Sequence, residues 1–217
     1  MQKEFSHRRQ SFVGPGFVPA LLVLALLCLS ATPALAKRAK LAQNISPLVA
    51  YDMVQKDPGI YLIDVRTPEE YQFIGHAPMA YNIPFMYLSH KFVEKGQLFR
   101  GKTMKKTRYQ PYLNPDFMSY MKAHFKPGDT LLIMCRSGHR SVPASDLLVK
   151  NGFKKIYNVV GGFEGNKFHG RDKEERKLLK KYSENFGRRG LVDGWKHYGL
   201  PWTYKMDPKY IYEPHKK

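Results

Sequence analysis

Residues 130–141 read Thr130-Leu131-Leu132-Ile133-Met134-Cys135-Arg136-Ser137-Gly138-His139-Arg140-Ser141. The apolar run ending at Met134 has the pattern of a buried strand, and that strand stops at a single cysteine. A short loop of donors follows. Ser141 to Lys150 then reads as a helix, with Val142, Ala144, Leu147, Leu148 and Val149 as its apolar members. A loop of this kind aims backbone N–H groups and guanidinium charge at one sulfur. Those conditions favour a thiolate and hold an anion beside it. An isolated cysteine is by default an inert buried one, but the donors around Cys135 favour a reactive thiol.

Outward from this stretch the pattern repeats. Ser46 caps a helix opened by Pro47, with Leu48, Val49, Tyr51, Met53 and Val54 as a candidate apolar face. Asp57-Pro58-Gly59 turns into the strand Ile60–Val65. Thr67, Pro68 and Glu70 form an N-cap, a helix-opening proline and a capping box. Gly75-His76-Ala77-Pro78 ends that helix, and Asn82-Ile83-Pro84-Phe85 is a brief extended piece. Asn114-Pro115-Asp116 opens a helix carrying Phe117, Met118, Tyr120, Met121 and Phe125. A last strand, Ile156–Val160, runs into Gly161-Gly162-Phe163-Glu164-Gly165. Short strands alternating with helices predict an α/β domain: a mainly parallel central sheet with helices on both faces. Residues 87–112, basic and aromatic, read as an ordered surface excursion.

The ends of the chain set the expected compartment. Lys3, Arg8 and Arg9 precede the apolar stretch Leu21–Leu29, and Ala34-Leu35-Ala36 is a small-x-small cleavage site. Residues 1–36 thus read as a signal peptide, and residues 37–44 as a mobile leader. A retained membrane anchor is the lesser reading, because the run is short and Pro19 and Pro33 flank it. Export, best matched to a bacterial periplasm, is the expectation. Cleavage leaves 181 residues, ample for one core, and removes Cys28. A lone Cys135 cannot form an internal disulfide, although exported proteins usually pair their cysteines.

The 217-residue chain carries 36 Lys+Arg against 18 Asp+Glu, a net charge of +18. Losing Lys3, Arg8, Arg9 and Glu4 makes it +16. Such a field attracts small oxyanions, an acidic partner protein or anionic lipid. An exported protein does not meet nucleic acid, so that partner is set aside. Residues 100–108 contain no acid, and residues 166–190 hold nine basic against four acidic side chains. No Cys-x-x-Cys-His haem site, Gly-x-Gly-x-x-Gly or Walker loop is present, and the eight histidines lack metal-ligand spacing. No cofactor and no metal are implied.

Three motifs in order resemble the rhodanese family of sulfurtransferases. The first is Asp64-Val65-Arg66-Thr67-Pro68-Glu69-Glu70-Tyr71 with Gly75-His76-Ala77-Pro78-Met79-Ala80-Tyr81-Asn82-Ile83-Pro84. The second is Cys135-Arg136-Ser137-Gly138-His139-Arg140-Ser141, and the third is Gly161-Gly162-Phe163-Glu164-Gly165. The resemblance spans about residues 45–165 and resumes at Trp195-Lys196-His197-Tyr198-Gly199-Leu200-Pro201, which places the domain at 45–201. It implies a rhodanese-like fold. It also implies that Cys135 accepts a sulfane sulfur as a persulfide and passes it to a thiophilic acceptor. Arg136, Ser137, Gly138, His139 and Arg140 are then expected to bind a small anionic sulfur donor such as thiosulfate. The acceptor, a thiol or a protein, is not encoded in any motif. Asp64 and Arg66 are expected to give ionic support near the loop.

Loop length separates two chemistries. Cysteine phosphatases, including a group with this fold, resemble Cys-x5-Arg. Here the arginine is Arg140, and Ser141 stands where a phosphatase has its arginine. The shorter loop resembles sulfurtransferases. The chain departs from the family pattern in its basic excursion near 87–112 and in the stretch 166–193, which separates Gly161–Gly165 from Trp195. Residues 202–217 form an aromatic and basic extension. Packing is the preferred reading for Trp195 and Trp202. A docking or accessory module of an exported complex, with an acidic electron carrier as a candidate partner, is the alternative to an enzyme.

Overall fold

The computed structural model describes residues 37–99 and 101–213. The expected signal peptide, residues 1–36, lies outside the described residues. In chain order the elements are β1 (Gln43–Ile45), α1 (Pro47–Lys56), β2 (Ile60–Asp64), α2 (Pro68–Ile74), β3 (Ala80–Asn82) and β4 (Met86–Val93). Then follow β5 (Leu98–Phe99), β6 (Lys102–Thr103), β7 (Arg108–Leu113), α3 (Phe117–His124), β8 (Thr130–Met134) and α4 (Ser141–Lys150). β9 (Lys155–Val159), α5 (Lys173–Tyr182) and a 3-10 turn at Pro208–Tyr210 complete the chain.

The capping chemistry works as the sequence predicts. The Ser46 side chain accepts the Val49 N–H at 3.2 Å with Pro47 in the first turn. Thr67 and Glu70 form a reciprocal capping box.

Five strands form one all-parallel sheet in the order β1-β9-β8-β2-β3. Side chains alternate across a strand, so β8 feeds two cores. Leu131 and Ile133 join Phe117 and Met121 of α3 and Ala144 and Leu148 of α4 on one face. Leu132 and Met134 join Ala50 of α1, Tyr71 of α2 and Trp195 on the other. An unbroken apolar run is therefore what this central strand requires.

The segment 37–44 is not a mobile leader. Ala39 and Ala42 are buried. The Asp146 carboxylate of α4 accepts the backbone N–H groups of Lys40 at 3.0 Å and Leu41 at 2.8 Å. Asn44 accepts the Ala39 N–H at 2.8 Å, and β1 adds a fifth strand beside β9. The polar composition of this segment concealed its partners, which lie about a hundred residues away.

The excursion at 87–112 is a two-stranded antiparallel ribbon, β4 with β7, tipped by the short β5–β6 pair. Its root is pinned where Asn114 donates its side-chain amide to the Pro84 carbonyl at 2.8 Å. The C-terminal extension packs back: Thr203 bridges to His76 and Ile211 to Asn82. Tyr210 and Tyr212 stand edge-on against Tyr81 and Tyr120 at 4.8 and 4.5 Å between ring centres. Trp195 is fully buried, while Trp202 is half-exposed and lies under Lys196, 3.8 Å from its ring centre.

Candidate active site

Cys135 directly follows β8, at the carboxyl end of the parallel sheet, where open α/β folds place their ligands. Its side chain is fully buried. The Gly138 N–H donates to Sγ at 3.1 Å, and the Ser141 Oγ lies 3.5 Å from it. Ser141 opens α4, so the sulfur sits by the positive end of that helix. Gly138 adopts φ 88°, a left-handed conformation that lets its N–H turn back onto the sulfur.

The loop is clamped from behind by the Gly161–Gly165 turn. Phe163 N–H donates to the Cys135 carbonyl at 2.7 Å, and Glu164 N–H to the Arg136 carbonyl at 3.0 Å. A Cβ on Gly162 would collide with the Cys135 carbonyl, so only glycine permits this approach. The sequence motif thus exists to hold the cysteine loop.

Arg66 and Asp64 are both fully buried and pair bidentately, with the closest contact 2.6 Å. Arg66 also donates to the Gly75 carbonyl at 2.8 Å and stacks 4.3 Å over the Phe163 ring. Its side chain bonds Asp64 and the Gly75 carbonyl and stacks on Phe163, whose N–H holds the Cys135 carbonyl, so the pair acts as support for the loop.

Arg140 differs from expectation. Its guanidinium fork is closed by Glu70, with Nη2 2.7 Å from Oε1 and Nη1 on Oε2. Burial opposes both charges. Their hydrogen bond and mutual attraction nevertheless hold the Glu70 carboxyl below its ordinary value and Arg140 above its own. The physical reason is position: α2 presents its capping-box carboxylate straight across the loop. Arg140 therefore ties the loop to α2. Arg136 and Ser137 are half-buried, and the Arg136 Nε is buried without a partner. His139 is exposed at the rim. Partial desolvation, then the charges of Lys37, Arg140 and Arg108, hold its imidazole below the ordinary histidine value.

Four participants were not legible as site residues. Glu70 showed its capping box but not its second partner. Ser141 read as the end of the cysteine loop and a helix start, but not as a partner of the sulfur. Lys37, whose backbone packs on Gly138, lay in the expected leader. Arg189, from the 166–193 stretch, donates to the Gly165 carbonyl at 2.6 Å. No local sequence pattern marks the last two.

Residues 46–167 match the family described as rhodanese-like domain. Thiosulfate sulfurtransferase 16, a chloroplastic protein of Arabidopsis thaliana, is 31% identical over 129 residues, covering 59% of this chain and 90% of that one. The senescence-associated protein DIN1 of Raphanus sativus is 33% identical over 125 residues, and there the match spans only 57% of the relative's length. An uncharacterized protein of Rickettsia rickettsii is 30% identical over 162 residues, 75% of this chain and 98% of the relative. The crystal structure of Rv0390 from M. tuberculosis superposes with a TM-score of 0.50 at 25% identity, covering 76% of this chain and all of that one. A parallel five-stranded sheet, the cysteine at its carboxyl end and this match over more than half the sequence place the chain in the rhodanese family.

Proposed function

We propose that this chain is a sulfurtransferase that moves a sulfane sulfur from thiosulfate or a related anionic donor to a thiophilic acceptor through a Cys135 persulfide. The observation that carries this reading is the environment of the sulfur: one N–H at 3.1 Å, one hydroxyl at 3.5 Å and a helix N-terminus, all able to stabilise a thiolate. In the first step the Cys135 thiolate attacks the outer sulfur of thiosulfate. A Cys135–sulfur bond forms, the donor's sulfur–sulfur bond breaks, and sulfite leaves with the bonding electron pair. In the second step an acceptor thiolate attacks the outer persulfide sulfur, and the Cys135 thiolate is regenerated as leaving group. The same donors that hold the starting thiolate receive the charge back, so each half-reaction begins and ends in a stabilised state. A thiosulfate sulfurtransferase among the relatives supports the choice of donor. Export to a periplasm remains part of the proposal; it rests on the signal-like pattern of residues 1–36, whose cleavage would also remove Cys28 and leave Cys135 alone.

The test is intact mass of the purified protein before and after thiosulfate, with Cys135→Ser alongside. A gain of one sulfur on the wild type alone, removable by cyanide or a thiol, is the expected result. No gain on a free, reactive Cys135 would overturn the thiosulfate reading and favour docking. The docking reading has its own observation: the β4–β7 ribbon and its β5–β6 tip expose Leu88, Phe92, Leu98, Tyr109 and Leu113 beside basic side chains. An acidic protein partner fits that surface by charge.

A further inference from the structure

Two guanidinium groups beside the cysteine loop form no ion pair among the described residues. Arg136 follows the nucleophile directly, and its side chain makes no hydrogen bond or ion pair among the described residues; its Nε is buried without a partner. Arg189 arrives from the far end of the 166–193 stretch. Its Nη1 is fixed on the Gly165 carbonyl at 2.6 Å. Gly165 belongs to the turn whose previous residue, Glu164, is bonded to the Arg136 carbonyl. The two ends of the stretch are also locked together: Asp193 accepts the Asn166 N–H at 2.6 Å and its side-chain amide at 2.8 Å. The loop is thus a closed insertion whose base rests on the active-site clamp, and its arginine is half-buried rather than waving in solvent.

The electrostatics agree with this placement. Partial burial, then repulsion from Arg136, lowers the Arg189 guanidinium's proton affinity, while Glu164, Asp193 and Cys135 act in the opposite sense. Glu164 and Asp193 are the acids within this group, yet among the described residues neither forms an ion pair with either arginine, and the Glu164 Oε1 is likewise without a hydrogen-bond partner. Asp193 is spent on Asn166. Two like charges held close in a half-buried setting repel, and an anion between them relieves that repulsion. Arg140 cannot do this, because Glu70 closes its fork.

We propose that Arg189 is a specificity-determining residue that, with Arg136, grips the oxyanion end of the sulfur donor while Cys135 attacks its outer sulfur. The inference rests on the sulfurtransferase reading for its substrate, but the anion grip stands without it. The 166–193 stretch thereby selects doubly charged donors over uncharged ones. A planar guanidinium suits a sulfonate because two N–H groups reach two oxygens at once.

The experiment uses the full chain with Arg189→Gln and Arg189→Lys. Alkylation of Cys135 is followed with iodoacetate, an anion, and iodoacetamide, its uncharged counterpart. Sulfur loading from thiosulfate is followed by mass. Loss of a charge-assisted hydrogen bond predicts a fall of about tenfold in the iodoacetate rate and in thiosulfate kcat/KM, carried by KM. The iodoacetamide rate should stay within about twofold, because no charge is gripped there. Arg189→Lys should recover part of the selectivity, since it keeps the charge but not the fork. Equal slowing of both alkylating agents, or no change in either, overturns the proposal. If the wild type takes no sulfur from thiosulfate but loses its preference for iodoacetate in Arg189→Gln, the anion grip stands and the sulfur-transfer reading falls.

Discussion

The carboxylate of Glu70 accepts the Thr67 N–H at the start of α2 and also closes the Arg140 fork across the cysteine loop. Its depressed proton affinity makes it a stability determinant. Above the ordinary glutamate value, near 4.3, the group is ionised folded and unfolded, and its contribution is fully present. As pH falls below that value the unfolded chain takes the proton first, so stability declines until the folded carboxyl is protonated too. Glu70→Gln should therefore cost about 2 kcal/mol at pH 7 and flatten the acid limb of the stability curve below about pH 4.3. Thermal unfolding of both proteins from neutral to acid pH checks this, and parallel curves would contradict it. At this scale the sequence revealed what local spacing encodes. Cys135, the caps at Ser46 and Thr67, and the Gly-Gly-Phe turn were all readable. The aim of Arg140 was not, because it depends on which carboxylate α2 brings across the loop, a contact 70 residues distant in the chain.

Between elements, the segment 37–42 lies as a strap from the Asp146 carboxylate on α4 to Gly138 in the cysteine loop. Few apolar side chains hold it: Ala39 and Ala42 are the buried ones. One carboxylate therefore carries much of its attachment. Asp146→Ala should cost about 1 kcal/mol of global stability. It should also speed amide exchange at Lys40 and Leu41 and raise the alkylation rate of Cys135, now less covered. Unchanged exchange at those amides would show that packing alone seats the strap. Strands and helices with strong periodicity were legible, since β8 and α4 announce themselves by composition. The strap and the β4–β7 ribbon were not placed, because a short polar stretch is recruited into a sheet by partners outside it.

Across the whole molecule, the sheet is sandwiched between α1 and α2 on one side and α3 and α4 on the other, with β8 central to both cores. That architecture follows from alternating strand and helix signals, and the handling of the chain ends does not. β1 is three residues long, and β3 is flanked by the returning tail. The Tyr212 N–H donates to the Asn82 carbonyl at 3.1 Å, and Ile211 bridges to the same residue. Open strand edges invite pairing with another molecule, and short or covered edges discourage it. The tail beside β3 is thus a guard against self-association. A chain ending at Asp207 would bare the backbone of Ala80–Asn82 together with the Tyr81 and Tyr120 rings. At low salt the net charge left after losing Lys209, Lys216, Lys217 and Glu213, +16, would still keep such molecules apart. At high salt they should elute from size exclusion as dimers or larger species, while the intact chain keeps its elution position. The aromatic tail would then be valued less for what it binds than for what it prevents: the fusion of two sheets into one.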